Sequence, residues 1–538
     1  MDASIRSMSK KARSESKKHR DRAVSSAIVS TPGDDAGKRK TAPLFVLAVL
    51  LLFAAVCYWP LLRYFFAQDD FMLLYASTRH LGEELAKTFG PYPYHFRPLT
   101  EFLYFAGMFK TFGFNPAPYH VVSLLIHLGN TTLVYLLLRA MRLPAAATLV
   151  ATALFGMSVA WLHVVGWVTC IQQLAPQFFG LATLLFAVRA LHSGSRREWG
   201  ASVAAYVVTL FCYEQQALLP LSIALIAFLG VGVSRRSLVR TVRVMLPHAA
   251  ILAVYSGMRL FWKGVPDEGR AGFKYGSNVW DNLMAYLGGM LDFWPNVTML
   301  IAKDAFDFRL THILFIGLIA YHIQSGRWRH VVFSFVFVVT MLLPTLFLER
   351  HYYYYHTYAA SFGVIYLIAL AAKDGFDALG RFRLATPPKQ LAVASIVIVL
   401  ICSLSFWKVR ANEKRLETER YPNISFVLQR ANMARRAYNH VTMKAGDLSG
   451  VENILMMIGK PGVATSKGYT PFMWALAHGK AVNLFLNNYA IDVSMDPKGD
   501  IDPRIWETQI SKIFYYDLQG NVFTTDEVLS AVDTTRVD

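Results

Sequence analysis

The sequence predicts an α-helical polytopic membrane protein that carries a small α/β domain at its C-terminal end. Hydrophobic residues make up 54% of the 538 positions and charged residues only 17%, a composition typical of chains built from long apolar spans. Lys and Arg cluster in the short loops between the apolar runs. The formal charge of +18 therefore reflects membrane topology, with membrane lipids as the electrostatic partner, and we expect no nucleic-acid partner.

Residues 1–42 differ in composition from the rest of the chain. They contain eleven Lys or Arg against five Asp or Glu and no aromatic residue, so they cannot bury a core. We expect a basic, disordered cytoplasmic tail that also orients the protein in the membrane. A nucleic-acid-binding arm is the alternative for such a basic segment, and a solvated tail is favoured over it.

The next part of the chain, residues 43–407, contains apolar runs that can cross about 30 Å of hydrocarbon as helices of about 17–25 residues. We predict about eleven transmembrane helices. They lie near residues 43–64, 117–138, 145–163, 172–191, 200–214, 217–233, 244–262, 309–324, 331–348, 355–372 and 390–407. The two runs on either side of Glu214 are short, so that pair is a candidate for a re-entrant segment.

The distribution of basic residues predicts the orientation of these helices. Every loop that would lie on the same side as the tail is basic. These loops contain Arg139 and Arg142; Arg189, Arg196 and Arg197; Arg235, Arg236, Arg240 and Arg243; Arg327 and Arg329; and Lys373, Arg381, Arg383 and Lys389. The short turns on the other side carry almost none, so we expect a cytoplasmic N-terminus and an extracytoplasmic C-terminus.

Two longer segments would lie outside in this topology. In the first, Phe71 to Phe89 has apolar residues at helical spacing, which predicts an amphipathic helix on the outer surface. In the second, residues 263–308, the semi-apolar stretch 283–301 is interrupted by Asp292 and Pro295. A further span there would reverse the charge sign of the later loops, so we predict an interfacial or re-entrant segment instead.

After Trp407 charged residues, Gly and Pro return and the apolar runs shrink to strand length. We predict that residues 408–538 form one small extracytoplasmic α/β domain. A helical pattern near 424–438 precedes three stretches typical of strands. They are NILMMIG at 453–459, KAVNLFLN at 480–487 and KIFYYDLQGNVFTT at 512–525.

The first outer segment also concentrates ionisable residues. It begins FFAQDDF, ends HFRPLTE, and contains Asp69, Asp70, His95, Arg97 and Glu101. Two adjacent carboxylates at a bilayer edge repel each other and lose hydration, which is unfavourable unless they have a function. We interpret this segment as a catalytic loop. The alternative is a wet loop whose acids flank the end of a helix.

Several stretches resemble one family in the same order along the chain. YPYHFRPLTEFLY followed by FGFNPAPYHVVSLLIHLGNTTLVYLLLR, then HVVGWVTCIQQLAPQFFGLATLLFA, FCYEQQALLPLSIAL and LLPTLFLERHYYYYHTYAASFG, are similar to segments of GT-C fold membrane glycosyltransferases. The nearest resemblance is to protein O-mannosyltransferase-like proteins and to transmembrane O-mannosyltransferases that carry lumenal tetratricopeptide repeats. This resemblance covers residues 43–407 and implies a GT-C fold with sugar transfer from a polyprenyl-phosphate donor.

The resemblance also implies roles for individual residues. The acidic pair of the family's first loop corresponds to Asp69 and Asp70, and its first carboxylate is the base, which favours Asp69 while leaving Asp70 open. The sequence departs from the family at Tyr213, where Lys is usual, and in its C-terminal domain, which is not a repeat array. The acceptor therefore need not match that of either relative.

The chemistry of such a transfer fits the residue types. An ionised Asp serves as the base for the acceptor hydroxyl, and cations receive the phosphate that leaves. Our candidates for binding the donor phosphate are Arg97, Arg350, His95, His351 and Lys274. Candidates for a substrate or structural role are Glu101, Glu214 and Tyr354. No cofactor is required by the sequence, although adjacent carboxylates and a phosphate could share a divalent cation, Mg or Mn.

The sequence thus predicts a glycosyltransferase of the cell envelope, in a bacterial inner membrane. Its acceptor would be a protein, lipid or glycan hydroxyl on the extracytoplasmic face. A lipid-linked sugar transporter or flippase is one alternative, and it predicts polar residues at mid-membrane and broken helices. A non-catalytic membrane scaffold is the other.

Overall fold

The computed structural model describes residues 36–89, 96–230, 235–263, 276–290, 310–348, 353–379, 386–418, 426–458, 471–496, 512–517 and 521–528. By its internal contacts the chain divides into two units, residues 1–48 and 49–538. Most of the second unit is helical. Among the predicted site residues, His95, Lys274, Arg350 and His351 lie outside the described ranges, as do the predicted tail up to residue 35 and the predicted segment at 291–301.

The chain up to residue 263 is built mainly from helices. They are α1 (Ala36–Tyr58), α2 (Asp69–Arg79), α3 (Leu81–Phe89), α4 (Tyr104–Phe112), α5 (Pro116–Ala140), α6 (Ala145–Gly156), α7 (Leu162–Gly166), α8 (Ile171–Ser193), α9 (Arg196–Cys212), α10 (Leu219–Gly230) and α11 (Arg235–Lys263). A π-helical turn, Pro98–Leu103, precedes α4. The later helices, up to residue 418, are α12 (Ser277–Met290), α13 (Leu310–Gln324), α14 (Trp328–Leu346), α15 (Thr357–Ala378) and α16 (Pro387–Thr418).

Within the described ranges, seven helices are long and apolar enough to cross a membrane. They are Thr41–Arg63, Pro116–Ala140, Val168–Ser193, Leu238–Met258, Trp328–Leu346, Thr357–Ala378 and Pro387–Ala411. An eighth candidate is the pair 145–156 and 159–166, which is bent by 40°. The prediction of a largely helical chain with several membrane spans is confirmed. All eleven predicted runs contain helix, but the count of eleven spans stays a prediction.

Two helix boundaries differ from the sequence-based expectation. Helix α1 begins at Ala36, before the predicted start at Pro43. The predicted helix at 71–89 consists of two helices, α2 and α3, separated at His80. The hydroxyls of Ser77 and Thr78 donate to carbonyls four residues earlier, and such side-chain bonds weaken helix continuation.

A buried polar network joins four helices inside the bundle. Tyr358 donates its hydroxyl proton to His127 Nδ1 at 2.8 Å, and His127 Nε2 donates to the carbonyl of Gly156 at 3.0 Å. Asn130 Nδ2 donates to the Tyr358 hydroxyl and to the carbonyl of Leu174. These contacts fix α5 against α6, α8 and α15, because each polar group would otherwise be unsatisfied in an apolar interior.

After α16 the chain forms helices and a small sheet. The elements are α17 (Phe426–Lys444), β1 (Asn453–Ile458), α18 (Pro471–Ala475), α19 (Lys480–Phe485), β2 (Asp492–Asp496), β3 (Lys512–Tyr516) and β4 (Val522–Thr524). The strand order is β2-β1-β3-β4. Strand β1 pairs in parallel with β2 and β3, and β4 is antiparallel to β3. The predicted domain boundary after Trp407 falls within α16.

The predicted strand at KAVNLFLN is wrong, because residues 480–485 form α19. Residues 481–485 are all buried, and a short continuous apolar run does not distinguish a buried helix from a buried strand. Gly479, at φ 97°, sets the start of this helix. Phe485 then packs against Phe65 and Phe71, with ring centroids 6.5 and 5.4 Å away. Helix α19 thereby contacts the first outer segment.

We expect Tyr358→Phe to lower the melting temperature, since it removes a partner from both His127 and Asn130. Leaving buried polar groups unpaired costs about 1–3 kcal/mol, and the lower part of this range is expected between membrane helices. Differential scanning fluorimetry of the detergent-solubilised protein measures the change. The matched control is Tyr321→Phe, which removes an exposed hydroxyl that donates to Asp374. Equal melting of the two variants would contradict the network's structural role.

Candidate active site

The connections at one end of the helices meet in space. Arg97, before the π-helical turn, reaches Glu214 between α9 and α10. Gln215 Nε2 donates to the carbonyl of His356, before α15. Arg435, on α17, donates to the carbonyl of Arg63 at 2.7 Å. These segments are far apart in the sequence. Because successive helices run in alternating directions, their connections meet at one end of the bundle.

The carboxylate of Asp70 is fully engaged by hydrogen bonds. Its Oδ2 accepts from the amide of Ala67 at 2.9 Å. Its Oδ1 accepts from the amide and the hydroxyl of Thr169, at 2.7 and 2.5 Å. Burial raises the pKa of Asp70 to about 7, although the hydrogen bonds from Thr169 and Ala67 oppose this. Asp70 therefore joins the start of α2 to the start of α8, and its oxygens are occupied.

The residue before the acidic pair has a strained backbone. Gln68 has φ 54° and ψ −118°, which is the second position of a type II′ turn and is normally occupied by Gly. The turn is closed by Asp70 N donating to the carbonyl of Ala67 at 3.1 Å. The amide of Gln68 itself donates to the carbonyl of Ala475, also at 3.1 Å. Non-Gly residues in such conformations cost about 1–3 kcal/mol, so neighbouring contacts hold this turn in place.

The side chain of Asp69 has different surroundings from that of Asp70. Its side chain is half-buried, and it makes no hydrogen bond within the described ranges. Burial raises the pKa of Asp69, the charge of Arg430 lowers it, and Glu101 raises it further. The result is a carboxylate that accepts a proton more readily than an ordinary Asp and whose oxygens are not engaged by the described residues.

The Arg97 guanidinium is held on several sides. Its Nε and Nη2 donate to the two oxygens of Glu214 at 2.8 and 2.6 Å, and its Nη1 donates to Gln172 Oε1 at 2.8 Å. Its central carbon lies 4.1 Å from the centre of the Tyr213 ring. Burial would lower the pKa of Arg97, but Glu214 and Tyr213 raise it by more. Tyr213, which departs from the family pattern, thus stacks on a paired arginine.

Glu101 acts electrostatically on both Asp69 and Arg97. It belongs to the π-helical turn, a rare helix type that is frequent at functional sites, and its side chain is 9% exposed. Its Oε2 is buried with no hydrogen-bond partner in the described part of the chain. The charge of Glu101 acts on both Asp69 and Arg97, so the three residues form one electrostatic group.

Arg430 is the site residue that the sequence did not indicate. It comes from α17, in the segment predicted to be a separate domain. Its Nε lies 3.1 Å from the side-chain amide of Gln68, whose oxygen accepts from both Nε and Nη1 when it faces the guanidinium. Burial lowers the pKa of Arg430 to about 10, while Tyr353 and Asp69 oppose this. No sequence motif marks it, because nothing in the sequence alone shows that α17 packs against the first outer segment.

Aromatic residues line the same region. Tyr353 stacks on Tyr355 with ring centroids 5.1 Å apart, and Tyr355 stacks on His163 at 5.9 Å. Trp167 meets Tyr355 edge-on and donates its Nε1 proton to the carbonyl of Ala67 at 3.4 Å. The side chain of Tyr354 is outside the part of the chain that the structure describes, so its substrate or structural role stays a prediction.

The roles of His95, Lys274, Arg350 and His351 in phosphate binding stay predictions, since these residues lie outside the described ranges. Within those ranges, no three His, Cys, Asp or Glu side chains are grouped so that they could hold a metal ion. The use of Mg or Mn likewise stays a prediction.

No protein-family model matches this chain, and no curated protein matches it. Among solved structures, the arabinofuranosyltransferase AftD from mycobacteria is similar, with a TM-score of 0.44 and 12% sequence identity. The similarity covers 84% of this chain and 31% of that one, so this chain spans less than a third of the length of AftD. A similarity at this level carries no inference about activity.

We expect Asp70→Asn to destabilise the protein. One oxygen becomes an NH₂ group that must face the amide of Ala67 or of Thr169, and an unsatisfied buried donor costs about 1–3 kcal/mol. The matched variant Asp69→Asn should melt at the wild-type temperature or above it, because no described donor bonds to Asp69. Thermal melts of both variants at one pH measure the difference. An equal decrease in melting temperature would contradict a structural role for the Asp70 hydrogen bonds that Asp69 does not share.

We expect the Arg97–Glu214 pair to show strong coupling in a double-mutant cycle. Glu214→Gln leaves the Arg97 charge partly buried without its anion, and breaking a buried pair costs about 3–5 kcal/mol. The double variant Arg97→Gln with Glu214→Gln should lose less than the sum of the single variants. Asp377→Asn, which breaks an exposed pair with Lys373, should cost below about 1 kcal/mol. Additive losses of stability in the double variant would show that Arg97 and Glu214 do not stabilise each other.

Proposed function

We propose that this chain is an integral membrane glycosyltransferase of the GT-C fold. It transfers a sugar from a polyprenyl-phosphate donor to a hydroxyl group of a protein, lipid or glycan on the extracytoplasmic face of a bacterial inner membrane. One observation carries the proposal. Asp69 is a half-buried carboxylate without a hydrogen bond from any described residue, it lies beside Arg430, and it is presented by a strained turn at the end of a membrane helix bundle.

The reaction needs one base, and Asp69 fulfils its requirements. The acceptor oxygen forms a bond to the anomeric carbon while the bond between that carbon and the phosphate oxygen breaks. The acceptor proton goes to the Asp69 carboxylate, and the bonding electrons leave with polyprenyl phosphate. A single displacement of this kind inverts the anomeric configuration. The raised pKa of Asp69 favours the step, because a general base is most effective when its pKa approaches the working pH.

The two neighbouring acids have supporting roles in this proposal. Asp70 fixes the turn that presents Asp69, since both of its oxygens bond to backbone or hydroxyl donors. Glu101, buried nearby with one unpartnered oxygen among the described residues, raises the pKa of Asp69. We assign both as positioning residues, while Asp69 alone contacts the acceptor.

The charges at the opposite end of the helices support the proposed orientation. The described basic residues at that end are Arg139, Arg142, Arg189, Arg196, Arg197, Arg240, Arg243, Arg327, Arg329, Lys373 and Lys389. Some of them link neighbouring helices, as Arg240 does to the carbonyl of Leu191 and Arg327 does to Asp374. Cytoplasmic loops carry an excess of Lys and Arg, so the Asp69 end would be extracytoplasmic.

The transporter alternative is less well supported by the described residues. It predicts polar groups at mid-span that are available to a substrate. The polar groups of His127 and Tyr358 bond instead to one another, to Asn130 and to the carbonyl of Gly156. Asp69 and Glu101, which are at least half-buried and have oxygens that no described residue engages, lie at the bundle end, which favours chemistry there.

The decisive measurement is turnover by the purified full-length protein with a panel of polyprenyl-phosphate sugars, read as released polyprenyl phosphate. We expect Asp69→Asn to lower kcat by about 10²- to 10⁴-fold, the usual contribution of a general base, without lowering the melting temperature. In the wild type, kcat/KM should fall on acidification through a pKa above the ordinary Asp value of about 3.9, because protonated Asp69 cannot accept the acceptor's proton. The limb due to Asp69 should be absent from the residual activity of Asp69→Asn, which retains only the titration of the neighbouring Asp70, whose pKa burial raises to about 7.

Asp377→Asn is the control, since Asp377 is an exposed carboxylate at the opposite end of the bundle that pairs with Lys373. It should retain wild-type turnover. Release of polyprenyl phosphate at the same rate by wild type and Asp69→Asn would remove Asp69 as the base. Absence of release from every donor would contradict the proposed function.

A further inference from the structure

The described part of the site contains two arginines, Arg97 and Arg430, and their surroundings differ. Three donors of Arg97 already bond to Glu214 and Gln172, and its face is covered by Tyr213. A bidentate pair with a carboxylate uses the same donor geometry that a phosphate would need. These contacts of Arg97 hold the neighbouring connections together.

Arg430 has a different environment. It contacts the neutral side-chain amide of Gln68, and Tyr353 and Asp69 are among the groups that act on its charge. It is half-buried. Its lowered pKa indicates that the surrounding groups only partly offset the loss of hydration.

The position of Arg430 next to Asp69 matches the geometry of the proposed reaction. The base and the departing phosphate act on the same anomeric carbon, so the cation that receives the phosphate must lie within a few ångströms of the sugar bound beside the base. Asp69 and Glu101 both carry negative charge when ionised. A phosphate approaching them would be repelled unless a cation stands beside it.

We propose that Arg430 binds the phosphate group of the donor, so that the segment after α16 supplies the cation of the active site. This inference rests on the proposed function and adds a residue from α17 to it. Arg is suited to the role because its planar donor group matches phosphate oxygens and remains charged. Gln68 orients the guanidinium, and the strained turn that positions Gln68 also presents Asp69.

The test measures binding of the reaction's lipid product, which does not depend on turnover. Full-length wild type, Arg430→Gln and Arg430→Lys are reconstituted in nanodiscs and titrated with polyprenyl phosphate. A parallel titration with inorganic phosphate distinguishes a lipid-borne phosphate from a free one. Loss of a charged hydrogen bond should weaken binding by about ten- to a hundredfold in Arg430→Gln. Arg430→Lys should recover part of this loss, because Lys keeps the charge without the bidentate geometry.

The matched control is Arg436→Gln on the same helix, since Arg436 is exposed. Its substitution changes the net charge equally but should leave polyprenyl phosphate affinity within about twofold of wild type, because exposed charges act weakly at a distance. An equal loss in the Arg430 and Arg436 variants would overturn the proposal, as it would indicate a general charge effect.

Turnover and its pH profile give the second readout. Because Arg430 lowers the pKa of Asp69, the acid limb of kcat/KM should move to higher pH in Arg430→Gln, and KM for the donor should rise. A folded Arg430→Gln variant with wild-type affinity, KM and acid limb would overturn the inference while leaving the proposed function intact. If Arg430→Gln does not fold, Arg430→Lys decides alone: unchanged affinity and acid limb overturn the proposal, and a partial loss supports it. Arg430-dependent binding of inorganic phosphate but not of polyprenyl phosphate would overturn the assignment to the donor lipid.

Discussion

The hydrogen bonds of the Asp70 carboxylate are the constraint on which the site depends. They connect the turn after the first membrane helix to the start of α8, two regions 99 residues apart in sequence. A carboxylate that is 1% exposed loses most of its hydration, so its donors must compensate. Removing either side of the contact would leave buried polar groups unpaired. The turn that contains Gln68 and Asp69 therefore has a fixed position relative to the bundle.

This constraint explains why two adjacent acids have unlike properties. Asp70 points toward Thr169 and is engaged on both oxygens, whereas Asp69 faces Arg430 and Glu101. The same division separates the two arginines, since Arg97 is paired with Glu214 and Arg430 contacts a neutral amide. In each pair, the more fully engaged group fixes the backbone. The other, Asp69 or Arg430, has a pKa that burial shifts from its ordinary value, and ionisable groups with shifted pKa values are frequent at functional sites.

The sequence was informative where one physical signal dominates. Long apolar runs predicted the helices, because a helix satisfies its own backbone groups in an apolar interior. The DD pair indicated a segment in which Asp70 bonds to Thr169, and its catalytic role stays a prediction. The sequence failed at KAVNLFLN, where a buried run of five residues has no distinguishing period. It also missed Arg430, because long-range packing of α17 against residues 63–68 leaves no local pattern. The sequence also did not reveal that Arg97 pairs with Glu214, 117 residues away, and the role of Arg97 in phosphate binding stays a prediction.

The strained Gln68 turn links formation of the site to docking of the C-terminal segment. Its backbone conformation is unfavourable for a residue with a Cβ, and the Ala475 carbonyl that accepts from its amide comes from α18. Ala477 and His478, which come after α18, also have positive φ, at 48° and 55°. The unfavourable backbone conformations on both sides of the hydrogen bond between Gln68 and Ala475 persist only while that hydrogen bond is made. Separation of α18 from the turn would let Gln68 relax, which would remove both the orientation of Asp69 and the amide that aligns Arg430. The C-terminal segment is therefore part of the site's geometry, and docking of this segment is coupled to the orientation of Asp69.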